Sequence, residues 1–176
     1  EDINKLTEQS LLFDFARSPS FFENFNVEFN VNNSNNGVKL YIQDGEDSSG
    51  EPTYSNTGGD FELVIAEYSP DTIEECLNNG KLDSCVTNLH TATVQLDWAK
   101  DDFYDAVIRL HDSATISIGE SNIYIKAIFL RVPVSGNTGG YVLGYSINPV
   151  VFSVTNEVVF DDDIIFFSFS RLDNNG

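Results

Sequence analysis

The sequence predicts a mainly β protein: an antiparallel two-sheet sandwich, jelly-roll or Greek-key like, with an N-terminal helix and one short internal helix. Apolar and polar residues alternate in several segments, which is the pattern of a strand with one buried face. About eight to ten such segments follow one another at spacings of about 8 to 12 residues. The sequence has no repeated alternation of strands and helices, which is the pattern that would indicate a parallel sheet. A closed barrel is the second architecture that this pattern allows.

The first segment predicts a helix over residues 3–17. Its apolar residues at near-helical spacing are Ile3, Leu6, Leu11, Leu12 and Phe15. Ser18 and Pro19 then end the helix. We therefore expect an N-terminal helical arm over residues 1–20, a single β-sandwich domain over residues 21–170 and a polar tail over residues 171–176.

After this arm the period of the pattern changes to two. Phe25, Val27, Phe29 and Val31 alternate with polar residues, which predicts the first strand. A polar run that ends in Asn-Gly leads from this strand to residues 38–42, and Asn-Gly is typical of a hairpin turn. Residues 44–59 then predict a long polar loop, and loops of this length often carry binding sites.

Strands and one short helix fill the rest of the chain. The helix opens at Asp71-Thr72-Ile73-Glu74, an acidic start that resembles a capping box, and it ends at Gly80. The predicted strands are residues 61–66, 86–96, 106–110, 116–118, 123–132, 141–147, 150–154 and 164–169, with a polar turn or short helix at 98–104. The later strands are separated by Gly119, residues 135–140, Pro149 and residues 161–163.

Composition narrows the classes of partner. The 28 acidic and 9 basic residues give a net charge of -19, which repels phosphate backbones, so we expect no nucleic acid partner. No run approaches the ~18 to 20 apolar residues of a membrane span, so we expect no membrane partner either.

The chain contains no Met, which leaves open whether a signal peptide has been removed. Its 14 Phe residues supply a core and argue against general disorder.

The two cysteines, Cys76 and Cys85, allow two readings. One is a single disulfide around a short loop, and the other is a pair of buried free thiols. The pair is too small for a disulfide framework or for a zinc site of its own.

Histidine and carboxylate chemistry points away from catalysis. His90 and His111 are the two histidines, and neither has a second ligand at metal-binding spacing. His111 and Asp112 form a candidate dyad, but no nucleophile motif accompanies them. The carboxylates that a glycosidase could use are Glu62, Glu67, Asp97, Asp101, Asp102 and Asp105. We predict no enzyme, no catalytic or metal site and no cofactor.

Three further patterns are candidates for binding. Residues 44–47 and 161–163 offer oxygen ligands for calcium without the spacing of a calcium loop. Asn32-Asn33-Ser34 is a glycosylation sequon, which matters for a eukaryotic secretory route. The aromatic residues that could stack on sugars are Tyr41, Tyr54, Trp98 and Tyr104.

Residues 164–169 are apolar on both faces and follow three aspartates. Both faces of such a strand need cover, and the aspartates act as gatekeepers against misassociation. The strand is therefore either a central strand of the domain or a contact with a neighbouring subunit.

The second half of the chain resembles β-rich structural proteins of tailed bacteriophages. The segments that carry the resemblance are residues 123–130, residues 140–149 and the strands after Val150. The resemblance implies a virion component such as a capsid-associated, head-fibre, collar or tail protein, which assembles with itself or with other virion proteins. The alternative is a secreted or cell-surface carbohydrate-binding β-sandwich, with or without the assistance of calcium.

Overall fold

A computed structural model describes residues 5–6, 15–18, 25–29, 38–56, 60–78, 80–99, 106–134, 137–162 and 164–169. Over these residues the chain is mainly β, with several antiparallel sheets and two short helices. The mainly β, antiparallel character predicted from the sequence is therefore confirmed. None of the described helices is long and apolar enough to cross a membrane.

The described elements follow one another along the chain. They are β1 Lys5–Leu6, β2 Ala16–Arg17, β3 Phe25–Phe29, β4 Val38–Glu46, β5 Pro52–Asn56, β6 Phe61–Tyr68, α1 Ile73–Cys76, α2 Leu82–Cys85, β7 Val86–Val94, β8 Leu96–Ala99, β9 Ala106–Leu110, β10 Ala114–Val134, β11 Asn137–Phe160 and β12 Ile165–Phe169.

The strands form one large and two small sheets. The large sheet has the order β1-β11-β10-β6-β7, and β2 also pairs with β11. The small sheets have the orders β12-β9-β8 and β3-β4-β5. All pairs are antiparallel except β1 with β11.

The predicted helix over residues 3–17 is wrong where the structure describes it. Lys5–Leu6 and Ala16–Arg17 are short strands that pair with β11, and residues 3–4 and 7–14 lie outside the described residues. The reason is tertiary: the edge of β11 offers backbone donors and acceptors, which outweigh a weak helical preference. Pro19 also disfavours a helical conformation at the residue before it.

The predicted long loop over residues 44–59 is wrong over most of its length. Strand β4 continues to Glu46, a turn follows, and β5 returns antiparallel to β4. Asp47 closes the turn, because its Oδ1 accepts the backbone N–H groups of Ser49 and Glu51. Polar composition hid this hairpin, since a strand without a covered face has no apolar alternation.

The four separate strands predicted between residues 116 and 154 merge into two long ones, β10 and β11. Gly119 interrupts the pattern in the sequence, but in the structure it is a positive-φ position inside β10. It lies opposite Asn156, which also has a positive φ, and the register shifts on both sides of Gly119. Such bulges bend a strand without ending it.

Two hydrophobic clusters cover the two faces of the large sheet. In β6, Phe61, Leu63 and Ile65 join the first cluster, while Val64 and Ala66 join the second. The three-stranded sheet β12-β9-β8 closes the first cluster, and the two helices close the second. Because β6 is buried on both faces, its sequence is a nearly continuous apolar run.

A disulfide joins Cys76 at the end of α1 to Cys85 at the end of α2. It decides between the two readings of these cysteines. The helical pair also touches β11, where the backbone N–H of Gly80 donates to the carbonyl oxygen of Gly140 at 2.9 Å. A Cβ at Gly139 would lie 2.5 Å from the backbone of Gly80, so this approach requires glycine.

Strand β12 is an edge strand of its sheet among the described residues, rather than a central one. A register shift between Ile165 and Phe167 nevertheless turns two successive rings inward, and Phe166 and Phe167 are both buried. The apolar character of this strand is thus explained largely by cover from its own chain.

Candidate functional site

A cleft forms where the chain crosses between two sheets. Gln95 separates β7 from β8, and residues 111–113 join β9 to β10. The backbone N–H of His111 donates to the carbonyl oxygen of Gln95 at 2.9 Å, which holds the two crossings together. The cleft beside them has a volume of about 390 Å³. Its polar lining residues include Asp60, His111, Asp112, Ser113 and Thr115.

His111 lies between two carboxylates. Its Nδ1 atom is 2.6 Å from Asp97 Oδ2, and its Nε2 atom is 3.8 Å from Asp112 Oδ2. The hydrogen bond to Asp97 and the charge of Asp97 raise the pKa of His111 above its ordinary value; burial opposes this rise to a lesser extent, and the charge of Asp112 adds the smallest contribution. The imidazole is therefore more readily protonated than an isolated one.

The closer partner, Asp97, is not the one that the sequence predicts. Strands β8 and β9 pair with Asp97 opposite Arg109 and Leu96 opposite Leu110. This register brings the start of one strand and the end of the other to the same edge, where the carboxylate reaches His111. Sequence neighbours suggest Asp112, whereas Asp97 becomes visible only once the hairpin register is known.

This geometry can orient an imidazole. A carboxylate on Nδ1 leaves Nε2 as the reactive nitrogen, as in hydrolytic triads. Within the described part of the chain, however, His111 contacts no serine hydroxyl, and both cysteines are held in the disulfide. Among the described residues, the site therefore has the carboxylate and the imidazole of such a triad, without a serine hydroxyl hydrogen-bonded to the imidazole.

No family model, curated protein or solved structure matches this chain. The cleft is thus interpreted from its own geometry alone. That the chain is not an enzyme stays a prediction.

The described glycosidase candidates occupy three separate places. Glu62 binds Arg131, and Asp97 binds His111. Glu67 accepts the backbone N–H of Tyr124 at 2.8 Å and the side-chain amide of Asn88 at 2.6 Å. These three carboxylates each have a local hydrogen-bonding role. Residues 101, 102 and 105 lie outside the described residues.

The described residues among the calcium candidates also take part in local hydrogen bonds. Asp47 Oδ1 already accepts two backbone N–H groups in its turn. The backbone N–H of Ile164 donates to the carbonyl oxygen of Asp161, and residue 163 lies outside the described residues. No group of three potential metal ligands occurs among the residues that the structure describes.

The sequence did not indicate the ion cluster around Arg131. This side chain is 8% exposed; its Nε donates to Glu62 Oε1 at 2.9 Å and its Nη1 to Asp83 Oδ1 at 2.7 Å. Glu62 lies opposite Arg131 in the sheet, and Asp83 lies in α2. The sequence did contain one signal of this cluster. Arg131 stands in a strand that is apolar on both faces, and a charge in such a strand needs a partner.

Among the aromatic side chains proposed to stack on sugars, the structure describes one. Tyr54 lies on β5 and is 40% exposed. Tyr124 on β10, not proposed from the sequence, is 52% exposed. Nothing is described of the Tyr41 and Trp98 side chains, and residue 104 lies outside the described residues.

Proposed function

We propose that this chain is a non-enzymatic structural protein of a tailed-phage virion, a capsid-associated, head-fibre, collar or tail component that acts through protein–protein assembly. Its partners are other copies of itself or other virion proteins. We further propose that the large sheet and the sheet β12-β9-β8 form the two layers of a jelly-roll or Greek-key sandwich. The first cluster, to which both sheets contribute, supports this arrangement.

The exposed hairpin of β4 and β5 is the observation that carries the assembly proposal. Every residue from 45 to 54 is exposed, so neither face of this tip is covered by its own chain. A two-stranded tip without cover is marginally stable in water, and contact with a partner stabilises it. Among the described strands, β5 also lies at the edge of its sheet, which is where a strand of a neighbouring chain can pair.

The resemblance to phage structural proteins supports the virion part of the proposal. The segments that carry it, residues 123–130 and 140–149, belong to β10 and β11, and they pair with each other from Ala127 opposite Ile147 to Leu130 opposite Gly144. The two segments therefore lie side by side in one antiparallel strand pair.

The disulfide favours a second candidate. Disulfides form and persist in oxidising surroundings such as secreted proteins and cell surfaces. Together with exposed Tyr54 and Tyr124 it supports a secreted or surface carbohydrate-binding module. Aromatic side chains with exposed faces are the usual platforms for sugar rings.

Light scattering after size-exclusion chromatography separates the two candidates. Assembly predicts an oligomer at about 100 µM, a concentration that populates contacts with micromolar Kd. Tyr54→Ser is expected to raise the dissociation constant about 30-fold, since a central interface tyrosine contributes about 2 kcal/mol. Tyr124→Ser replaces a second exposed tyrosine, on another sheet; it is the matched control and leaves the mass unchanged.

A glycan panel with and without chelator tests the alternative. Monomers that bind a glycan, and lose it when Tyr54 or Tyr124 is replaced, would contradict the assembly proposal. An oligomer with no glycan binding supports assembly and removes the second candidate.

A further inference from the structure

Two neighbouring side chains line the cleft where the chain crosses between two sheets. They are His111, whose side chain is 38% exposed, and Asp112, whose side chain is 87% exposed. A cleft of about 390 Å³ has room for an ion together with several water molecules. Both side chains can therefore reach a small dissolved ligand without any change of the fold.

Asp97 determines which nitrogen of His111 is available to such a ligand. Asp97 Oδ2 lies 2.6 Å from His111 Nδ1, so a neutral imidazole donates its Nδ1–H to this carboxylate and keeps a lone pair on Nε2. Histidines that bind metal ions almost always donate their other ring N–H to a carboxylate, a backbone carbonyl or water. Such a hydrogen bond fixes the orientation of the ring and raises the basicity of the nitrogen that binds the metal.

The lone pair on Nε2 accepts no hydrogen bond from Asp112. The distance from Nε2 to Asp112 Oδ2 is 3.8 Å, which is beyond the length of a hydrogen bond. A tetrahedral Zn²⁺ ion with bonds of about 2.1 Å holds two ligand atoms about 3.4 Å apart. The two atoms are therefore about 0.4 Å farther apart than a shared ion requires, and a small rotation of the exposed Asp112 side chain closes that difference.

The ligand atoms select the kind of ion. Imidazole suits Zn²⁺, Cu²⁺ and Ni²⁺, whereas Ca²⁺ and Mg²⁺ take oxygen ligands. The 28 acidic residues of the chain attract every cation through the net charge of -19. What distinguishes this cleft from an ordinary acidic surface is an imidazole that one carboxylate orients and a second carboxylate flanks.

We propose that His111 Nε2 and Asp112 Oδ2 bind one divalent transition-metal ion such as Zn²⁺ in this cleft, with water at the remaining positions of the ion. Asp97 is a positioning residue, because it acts through the imidazole and does not touch the ion. The inference goes beyond the proposed assembly function. It also departs from the sequence-based prediction of no metal site, which was made without the hydrogen bond between Asp97 and His111.

The number of protein ligands sets the expected affinity. Structural zinc sites have four protein ligands and catalytic sites have three, whereas the described residues contain no group of three potential metal ligands. With about half the ligands of a structural site, this cleft is expected to bind Zn²⁺ with a Kd on the order of 10 µM. The ion is then exchangeable, and a chelator removes it without unfolding the protein.

Calorimetric titration of the full chain with Zn²⁺ tests the site. The titration is run at about pH 8, because a protonated imidazole cannot bind a metal ion. An about 100-fold excess of Mg²⁺ over Zn²⁺ occupies sites that consist of carboxylates alone. The proposal predicts one Zn²⁺ ion per chain. Since each variant removes one of two ligands, His111→Gln is expected to weaken binding about 100-fold and Asp112→Asn about 10-fold.

Variants of two other residues serve as controls. His90→Gln replaces the other histidine, which lies on β7, and should leave the Kd unchanged. Asp97→Asn should weaken Zn²⁺ binding about 10-fold, and Asp97→Glu should recover part of that loss because it restores the carboxylate. A purely structural role of Asp97 would instead lower the Tm and leave the Kd of the folded protein unchanged. Equal Kd values for the unmodified chain and His111→Gln would overturn the proposal.

A measurement on the unmodified protein covers loss of folding in the variants. Co²⁺ binds similar ligands and is paramagnetic, so it displaces the NMR signals of nuclei close to it. The largest displacements are expected at residues that line the cleft, such as Thr93, His111 and Ser113. Displacements that are centred elsewhere, or spread evenly over the acidic surface, would contradict the site. The mass of the particle tests assembly separately, so either proposal can fail alone.

Discussion

Replacing Arg131 with alanine tests how the helical pair is fixed to the large sheet. The guanidinium is almost fully buried, and it binds Glu62 of β6 and Asp83 of α2. Removing it leaves two carboxylates without their cation. Breaking a buried pair costs 3–5 kcal/mol. We expect about 3 kcal/mol, the lower end of that range, because the Glu62 and Asp83 side chains are 20% and 38% exposed.

Urea unfolding followed by circular dichroism measures this loss. A loss of about 3 kcal/mol corresponds to a decrease in Tm of about 6–12 °C for a domain of this size. The denaturant slope should not change, since the fold stays the same. Arg131→Met keeps much of the packing and is expected to lose less than Arg131→Ala.

Asp83→Asn is the matched partner variant. It is expected to cost about 1 kcal/mol, because its side chain is more exposed. The double variant with Arg131→Ala should then cost less than the sum of the two single losses. A loss below about 1 kcal/mol for Arg131→Ala, or strict additivity, would refute the view that these side chains act as one buried cluster.

Four further outcomes are expected. Gly139→Ala should lower stability by about 1–3 kcal/mol in urea unfolding, because its Cβ would meet backbone of the helical pair, whereas Gly45→Ala, with its nearest contact at 3.6 Å, should change stability by less than about 0.5 kcal/mol. Ser146→Ala should be neutral or stabilising by up to about 1 kcal/mol, since its buried hydroxyl has no hydrogen-bond partner among the described residues; a clear loss of stability would reveal a partner. Reducing the disulfide, which spans nine residues, should cost about 2–3 kcal/mol, measured by unfolding with and without reductant. In an NMR titration, Asp97→Asn should lower the pKa of His111. Because the fold raises this pKa, protonation of His111 stabilises the folded state. This stabilisation is complete below about pH 6.5 and is lost as pH rises through the pKa of the folded state.

Local periodicity predicted the elements whose pattern is decided within the segment itself. The alternation from Phe25 to Phe29 and the following apolar run gave a strand pair, and the pairing of β3 with β4 confirms it. Residues 106–110 are confirmed as β9. In residues 25–29 the two faces differ in polarity, whereas residues 106–110 are a short and mostly apolar run, and a single segment can reveal either pattern.

The sequence was misleading where a distant element decides the conformation. Gly119 reads as a strand end, because only the register against Asn156 shows that it is a bulge. Residues 5–6 and 16–17 read as helix, because the edge of β11 that recruits them is more than a hundred residues away. Secondary structure of this kind is set by tertiary pairing and has no local signal.

The candidate site was partly visible for the same reason. His111 and Asp112 are neighbours in the chain, so their proximity could be predicted, although the structure places them 3.8 Å apart. Asp97 and Arg131 find their partners through strand register and helix docking, and neither can be predicted before the sheet order is known.

The guanidinium of Arg17 donates to the carbonyl oxygen of Ser168, and this junction bears on the time at which the domain matures during synthesis. Ser168 leaves the ribosome 151 residues after Arg17, so neither Phe15 nor Gly144 has its complete surroundings until the phenylalanines of β12 have emerged. Translation proceeds at about 5–20 residues per second, so the nascent chain waits on the order of ten seconds with this part of its interior open to water.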